Sequence, residues 1–387
     1  MENNNKNLEK IAEEDYTIKA AQREKEKKYY QEKEKEFGLK NIKRFVNYCP
    51  NPSKYMTLEV IFAHKDFEMI AEAIADKKPW AVVSGLNPSG PLHFGHKVIF
   101  DELLWMQKQG ADIYIPLTND ETYVVGKSKS LAESRKIAYE EVIPSIIAMG
   151  FDPKKTHIFV DSDYKDIYNI AMDLSNKITL NKAFGVFGFD KTKKGENPGT
   201  MFYRSAVQLA QILLPQYPEF GGQKPTVIPV GIDQHPYILL ARDVAEKKGF
   251  IPPAELITKF LLGLDGKGKM SASREESAIF LTDNTEIVKK KLKSSYTGGS
   301  PLATFQKEYG GIPEICPIWS LRTYHFESDN RVGEECSSGK VLCMECKQRG
   351  IESTVKYLNE HQRKLPEAKE RIKEYLLKTP IRSILET

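Results

Sequence analysis

Little in this chain could staple it shut. Only five cysteines stand in 387 residues, and Met1 to Lys10 is polar, without the apolar core of a secretory signal. Both features disfavour an exported, disulfide-bonded protein and point to a cytosolic, reducing compartment. No run approaches the roughly 18 consecutive apolar residues of a membrane-spanning helix, so no membrane span is expected. One-sided charge is missing too. With 57 basic against 53 acidic residues the net charge is only +4, which argues against a non-specific polyanion binder and leaves room for local basic patches. The glycine fingerprint GxGxxG and the P-loop GxxxxGK[ST] are both absent, which speaks against a dehydrogenase or a P-loop NTPase.

What is present is enough chain for two or three domains with real cores. One stretch organises it: Pro88-Ser89-Gly90-Pro91-Leu92-His93-Phe94-Gly95-His96-Lys97. The apolar run Trp80 to Val83 before it reads as a buried parallel strand, and the breaker-free segment after it, closing at Gly110, reads as a helix. The two histidines of HFGH therefore stand at a helix start, where free N–H groups and the helix dipole attract an anion. Gly95 offers bare backbone to a flat ligand, and imidazoles there can donate to phosphate oxygens. Taken alone, HFGH also reads as a metal pair or as plain surface residues. Far downstream, Gly266-Lys267-Gly268-Lys269-Met270-Ser271-Ala272-Ser273 is a flexible loop. Its Lys269 is a mobile ammonium suited to a polyphosphate, and Ser271 and Ser273 add donors. The ordered pair, HFGH on an early turn and KMSAS on a late loop, is far more specific than either half.

Residues 1–40 form a charged N-terminal arm that reads as a solvated helix or a partly disordered tail, with too few apolar residues to bury. Residues 41–76 read as a helical lead-in, with Phe67, Ile70 and Ile74 at helical spacing. From 77 to 285 strands and helices alternate. Ile113–Leu117, His157–Val160 and Thr226–Val230 are the next strands, and Ser130 with Glu133 is a capping box opening a helix kinked at Pro144. That alternation predicts an α/β fold: a Rossmann-like parallel sheet covered on both faces, with ligands at the carboxyl ends of its strands. The span 118–224 exceeds what a crossover needs and reads as a helical insertion. It contains the aromatic stripe Phe184–Phe189 and a Gly/Lys-rich loop from Lys191 to Gly199. Residues 286–387 are helical and basic, and His361-Gln362-Arg363-Lys364 reads either as a helix end touching RNA or as a solvated face.

HFGH and KMSAS, with Val83-Ser84-Gly85 before the first and Gly231-Ile232-Asp233-Gln234-His235-Pro236-Tyr237 between them, resemble class I aminoacyl-tRNA synthetases. They are most similar to the tryptophanyl-tRNA synthetases of the archaeal and eukaryotic branch, over about Val60 to about Lys364. The resemblance implies activation of tryptophan by ATP with Mg²⁺, transfer to tRNA(Trp), a homodimer joined through the insertion, and an α-helical C-terminal anticodon-binding domain. It implies His93, His96 and Lys269 as the catalytic groups. The ATP site it implies is Pro88, Ser89, Gly90, His93, Gly95 and His96 with Lys269, Met270, Ser271, Ala272 and Ser273. It implies Glu121, Gln208 and Gln234 as the groups that hold the amino acid's ammonium. One departure concerns the side chain. Members of this branch can hold the indole N–H with a Tyr before HFGH and a Gln on the next strand, and Val83 and Pro116 stand there. Tyrosine is the rival amino acid. A catalytically silent RNA-binding paralogue and a nucleotidyltransferase with another acceptor are the rival functions. Intact HFGH and KMSAS speak against the first, and the basic helical C-terminus against the second.

Cys316, Cys336, Cys343 and Cys346 fall in one region, the last three spaced C-x6-C-x2-C. Four thiolates suit tetrahedral zinc or a [4Fe–4S] cluster, and four free cysteines on neighbouring helices are the alternative. Some tryptophanyl synthetases carry such a cluster on similarly spaced cysteines with a longer first gap. Cys49 reads as a buried small hydrophobe.

Overall fold

The computed structural model describes residues 2–46 (side chains from residue 7), 51–190, 192, 196–327 and 329–385. Cys49 and part of the loop from Lys191 to Gly199 lie outside them. The chain divides into two compact units. One gathers Met1–Ile61, Leu92–Val98 and Lys259–Arg363; the other gathers Phe62–Pro91, Ile99–Thr258 and Lys364–Thr387.

The chain opens with helix α1 (Glu2–Glu36). Its Glu, Lys and Ala are strong helix formers, and no Gly or Pro interrupts it before Gly38, whose φ of +60° marks its end. The charged arm nevertheless buries a narrow stripe within the first unit: Ala12, Lys19 and Tyr30 are buried. The Lys19 ammonium donates to the Gly299 carbonyl at 2.6 Å, and Tyr16 meets Phe305 edge-on at 6.0 Å. A long lysine can cover apolar surface with its stem, so a stripe this poor in hydrophobic residues still docks.

The second unit is built on a sheet. Its strands are β1 (Ile61–Lys65), β2 (Ala81–Val83), β3 (Asp112–Leu117), β4 (Thr156–Val160), β5 (Thr226–Gly231) and β6 (Ala254–Thr258). They lie in the order β1-β6-β5-β2-β3-β4. From β6 to β4 all pairings are parallel, with Val82 opposite both Ile113 and Val227, Ile115 opposite Ile158, and Pro229 opposite Leu256. Nearly every strand residue is buried, as a parallel sheet covered on both faces demands. The order reverses between β2 and β5, and the switch point of such a sheet is where ligands bind. Helix α2 (Phe94–Lys108) follows β2 through the HFGH turn.

Two local features differ from the sequence expectation. The segment read as a helical lead-in contains β1, because Val60–Ala63 is a short, continuous apolar run that is buried throughout; helical spacing begins only at Phe67, with the helix Glu68–Ala75. Before Pro144 the chain widens into a π-turn, Ala138–Val142, with Ile143 N bonded to Ala138 O, and the helix then resumes over Ile143–Ala148. The wide turn accommodates a proline that has no N–H to give. The span 118–224 holds β4 as well as the helices Asp166–Ser175, Leu180–Phe187 and Gln208–Leu213. After Lys364 the chain returns to this sheet: Leu377 N bonds Ile158 O at 2.8 Å and Tyr375 donates to Phe151 O at 2.9 Å, which covers strand β4. Among the described residues no helix is long and apolar enough to cross a membrane.

In the first unit, short helices including Ala303–Tyr309, Pro317–His325 and Arg331–Ser337 precede the long helix α3 (Cys343–Glu370).

Candidate active site

The HFGH turn and the KMSAS loop, 173 residues apart from His96 to Lys269, meet in the first unit. Phe94 N bonds Ile279 O at 3.1 Å, Leu281 N bonds Leu92 O at 2.7 Å, and His93 bridges Phe280 in antiparallel fashion. The strip leaving the loop is thus sewn to the turn by backbone hydrogen bonds. At Gly95 an added Cβ would touch Met270 Cβ at 3.7 Å, so the glycine of one signature faces the methionine of the other.

The two imidazoles are fixed by the turn itself. His93 Nδ1 accepts from Gly95 N at 3.1 Å, and His96 Nδ1 accepts from His93 N at 3.2 Å. An Nδ1 that accepts an amide leaves the proton of the neutral ring on Nε2, so both rings present an Nε2–H donor. His93 is buried, and burial, helped by the adjacent His96, holds its pKa down to about 2. It is a neutral donor throughout the physiological range. Gly95 is required by the ring: a Cβ there would stand 2.8 Å from His93 Cε1 and 2.9 Å from its Nδ1.

KMSAS closes a short hairpin in which Met270 N bonds Leu261 O at 2.8 Å and Gly263 N bonds Gly268 O at 2.9 Å. Gly266 and Gly268 take φ of +69° and +72°, the left-handed region that glycine supplies most cheaply. Lys269 is exposed, with its ammonium 4.7 Å from the centre of the Phe260 ring. Arg274 braces the loop, donating to Lys269 O at 2.7 Å and pairing with Asp265. Ser271 and Ser273 share a hydrogen bond at 2.9 Å, and Ala272 is exposed beside them.

The remaining candidates belong to the sheet unit, and all but Gln208 stand in segments that follow strand ends. Pro88, Ser89 and Gly90 follow β2, Glu121 opens the helix Asn119–Val124 after β3, and Gln234 closes the turn after β5. Gln208 begins the helix Gln208–Leu213. All three amino-acid candidates are half-buried. Burial raises the Glu121 pKa, against the opposing pull of Lys127 and Arg204. Val83 is buried opposite Tyr114, and Pro116 packs on Gly85, so neither offers a polar side chain for an indole N–H.

Sequence reasoning missed the acidic network behind Glu121. Asp161, at the end of β4, is fully buried and accepts from Gln211 at 2.5 Å; Gln211 in turn accepts from the Tyr203 hydroxyl at 3.2 Å. Tyr168 donates to Asp120 at 2.9 Å. Burial, and then the neighbouring Asp120 carboxyl, pushes the Asp161 pKa well above the carboxylate range. The one hint in the sequence was an Asp immediately after a predicted strand end.

Cys316, Cys336, Cys343 and Cys346 line one cavity together with Arg322 and Gln306. All four are free thiols. Arg322 is buried and donates to Cys346 Sγ at 3.3 Å. Burial pushes the Cys316 thiol up to about 11 and the Cys336 thiol up to about 12. Among the described residues no group of three or more His, Cys, Asp or Glu side chains is arranged to hold a metal ion. The expectation of zinc or a [4Fe–4S] cluster is therefore unsupported. The four thiols share one cavity.

A parallel sheet that carries HFGH on the crossover from β2 to β3, with that turn bonded to the strip leaving a KMSAS loop, defines a class I aminoacyl-tRNA synthetase. The family described as tRNA synthetases class I (W and Y) matches residues 75–359, and the chain belongs to that family. It is 37% identical over 350 residues to a tryptophan–tRNA ligase of Methanocaldococcus jannaschii, covering 88% of this chain and 93% of that protein. It is 38% identical over 325 residues to the tryptophan–tRNA ligase of Pyrobaculum aerophilum, covering 82% of this chain and 84% of the relative. The crystal structure of tryptophanyl-tRNA synthetase from Aeropyrum pernix K1 superposes with a TM-score of 0.83 at 34% identity, covering 92% of this chain and 97% of the other.

Proposed function

We propose that this chain attaches tryptophan to tRNA(Trp) in two steps. The tryptophan carboxylate oxygen attacks the α-phosphorus of ATP; a new O–P bond forms and pyrophosphate leaves. The terminal ribose hydroxyl of the tRNA then attacks the carbonyl carbon of the adenylate, and AMP leaves. No protein nucleophile takes part, so catalysis is positioning and electrostatics.

His93 and His96 give their Nε2–H groups to phosphate oxygens, and Gly95 leaves room for the adenine. Lys269, with Ser271 and Ser273, receives the pyrophosphate as the loop closes on it, and Pro88, Ser89, Gly90, Met270 and Ala272 complete the ATP site. Glu121, Gln208 and Gln234 hold the ammonium of the amino acid. Mg²⁺ arrives with ATP and shares the charge of its phosphates. The helical residues 286–387 bind the anticodon, the insertion joins a homodimer, and the enzyme works in the cytoplasm.

Supporting the choice of tryptophan is the near-full-length match to tryptophan–tRNA ligases. ATP–pyrophosphate exchange with each amino acid tests it. Exchange stimulated by tryptophan is expected; greater stimulation by tyrosine overturns the choice.

A further inference from the structure

Helix α3 touches the HFGH turn and the strip that leaves KMSAS at once. The ring of Tyr357 lies 5.6 Å from that of Phe94, inside HFGH, and the ammonium of Lys97, the residue after HFGH, sits 4.7 Å from the Tyr357 ring centre. Phe94 is fully buried and packs also on His325 at 4.9 Å and Phe326 at 5.8 Å. Five residues along the same helix, the Gln362 amide donates to Leu281 O and to Asp283 O, each at 3.0 Å. Those carbonyls belong to the strip that leaves KMSAS and bonds back to the HFGH turn through Leu281 N. Lys291 secures the same strip from another side, donating to Ala278 O and the Asp283 carboxylate at 2.9 Å each.

The consequence is geometric. An aromatic face under a cation and an edge-on ring pair each contribute modestly to stability. Here they bear on the HFGH turn that carries the two imidazoles. Gln362 supplies both hydrogens of its amide to two carbonyls of a strip that Lys291 and the HFGH backbone also hold. The run His361-Gln362-Arg363-Lys364 is therefore divided: His361 is buried and stacks on Tyr357 at 5.8 Å, Gln362 is turned to the strip, and only Arg363 and Lys364 are exposed.

We propose that Tyr357 and Gln362 are positioning residues for adenylate formation. They hold the HFGH turn and the Ile279–Asp283 strip at the separation that the transition state at the α-phosphate requires, so the placement of α3 sets the geometry of the ATP site. This rests on the reading of HFGH and KMSAS as that site.

The test is tryptophan-dependent ATP–pyrophosphate exchange by the full chain, with rates normalised to active sites counted from the burst of adenylate. Tyr357→Leu and Gln362→Met are each expected to lower kcat about tenfold and raise the KM for ATP, since a displaced donor acts on the phosphates. The KM for tryptophan stays at its wild-type value. Tyr357→Phe, which keeps the ring, restores most of the loss. A merely structural role would lower the active fraction and leave the KM for ATP in place. Wild-type kcat and ATP KM in both Tyr357→Leu and Gln362→Met overturn the inference, as does Tyr357→Phe impaired as badly as Tyr357→Leu. If the unaltered protein exchanges with neither amino acid, the functional reading fails by itself. The rise in melting temperature with added ATP then reads the brace: a rise equal to wild type in both variants overturns it, and a smaller one sustains it.

Discussion

The imidazoles of His93 and His96 lie stacked, with centroids 3.8 Å apart and planes inclined by 22°. Burial, and then the adjacent His96, holds the His93 pKa down to about 2. In the unfolded chain a histidine titrates near ~6.5, so below that pH the unfolded state takes up a proton that the native state refuses. Stability from this residue is therefore complete above pH ~6.5 and falls as the pH drops, by up to roughly 1.4 kcal/mol per unit. His93→Gln removes the term. Its melting temperature should fall less than that of the wild type between pH 6.5 and 4.5. Equal falls would show that His93 is not the source.

In the proposed reaction the two imidazoles give Nε2–H donors to phosphate oxygens, where charge grows in the transition state. Losing one such preorganised donor costs on the order of a hundredfold in rate. His96→Ala and Lys269→Ala should each lose about that much in pyrophosphate exchange. Their melting temperatures should change little, because His96 is only half-buried and Lys269 is exposed. Near wild-type exchange in both variants would contradict the assigned roles.

Gly95 is bound to His93 by sterics as well as by a hydrogen bond. A methyl group 2.8 Å from His93 Cε1 cannot be accommodated unless the ring or the turn moves. Gly95→Ala should leave the protein folded, since alanine suits the first turn of a helix. It should lower kcat by about ten- to a hundredfold as the imidazole is displaced. Unchanged kcat with circular dichroism identical to wild type would mean that the His93 ring does not act from this position.

The strand–turn–helix around HFGH and the KMSAS loop were legible because local chemistry writes them: an apolar run, a histidine pair at a helix start, a glycine–lysine loop. Strand β6 was harder to read because Glu255 sits in its middle and makes it look polar. Its partner, His235, is buried and lies 2.7 Å away across a twenty-residue gap, so the carboxyl meets that ring only in three dimensions. The buried stripe of α1 was hidden for a similar reason. Lys19 counts as solvated in a sequence, and its acceptor is a carbonyl 280 residues further on. Asp161 needed Gln211, fifty residues away, to be recognised as a buried carboxyl. Periodicity reports which residues want burial; it does not report which polar residues find partners there.

Asp161 carries a testable cost. Burial keeps it protonated well above the usual carboxylate range, while the unfolded chain releases that proton near pH ~4. Whatever the carboxyl contributes to stability is present below that pH and is lost as the pH rises towards the raised native value. Asp161→Asn has no proton to lose and can still accept from Gln211. Its melting temperature relative to wild type should therefore climb between pH 4.5 and pH 8. A difference that stays flat across that range would mean that Asp161 is ionised in the native protein.

The thiol cavity gives the last prediction. Alkylation proceeds through the thiolate, and burial lifts Cys316 to about 11 and Cys336 to about 12. Cys346 is raised by burial as well, but the Arg322 guanidinium works against that rise. At pH 8 iodoacetamide should accordingly modify Cys316 and Cys336 far more slowly than an unfolded control, and Cys346 faster than either, as read by mass spectrometry of the digested protein. Arg322→Met removes the opposing charge and should slow Cys346 towards the other two. If Cys316 and Cys336 are modified at the unfolded rate, the cavity is open to solvent and the thiols are not held protonated. If all four resist modification until a chelator is added, they are metal ligands after all, and the geometry of separate thiols would be the part to abandon.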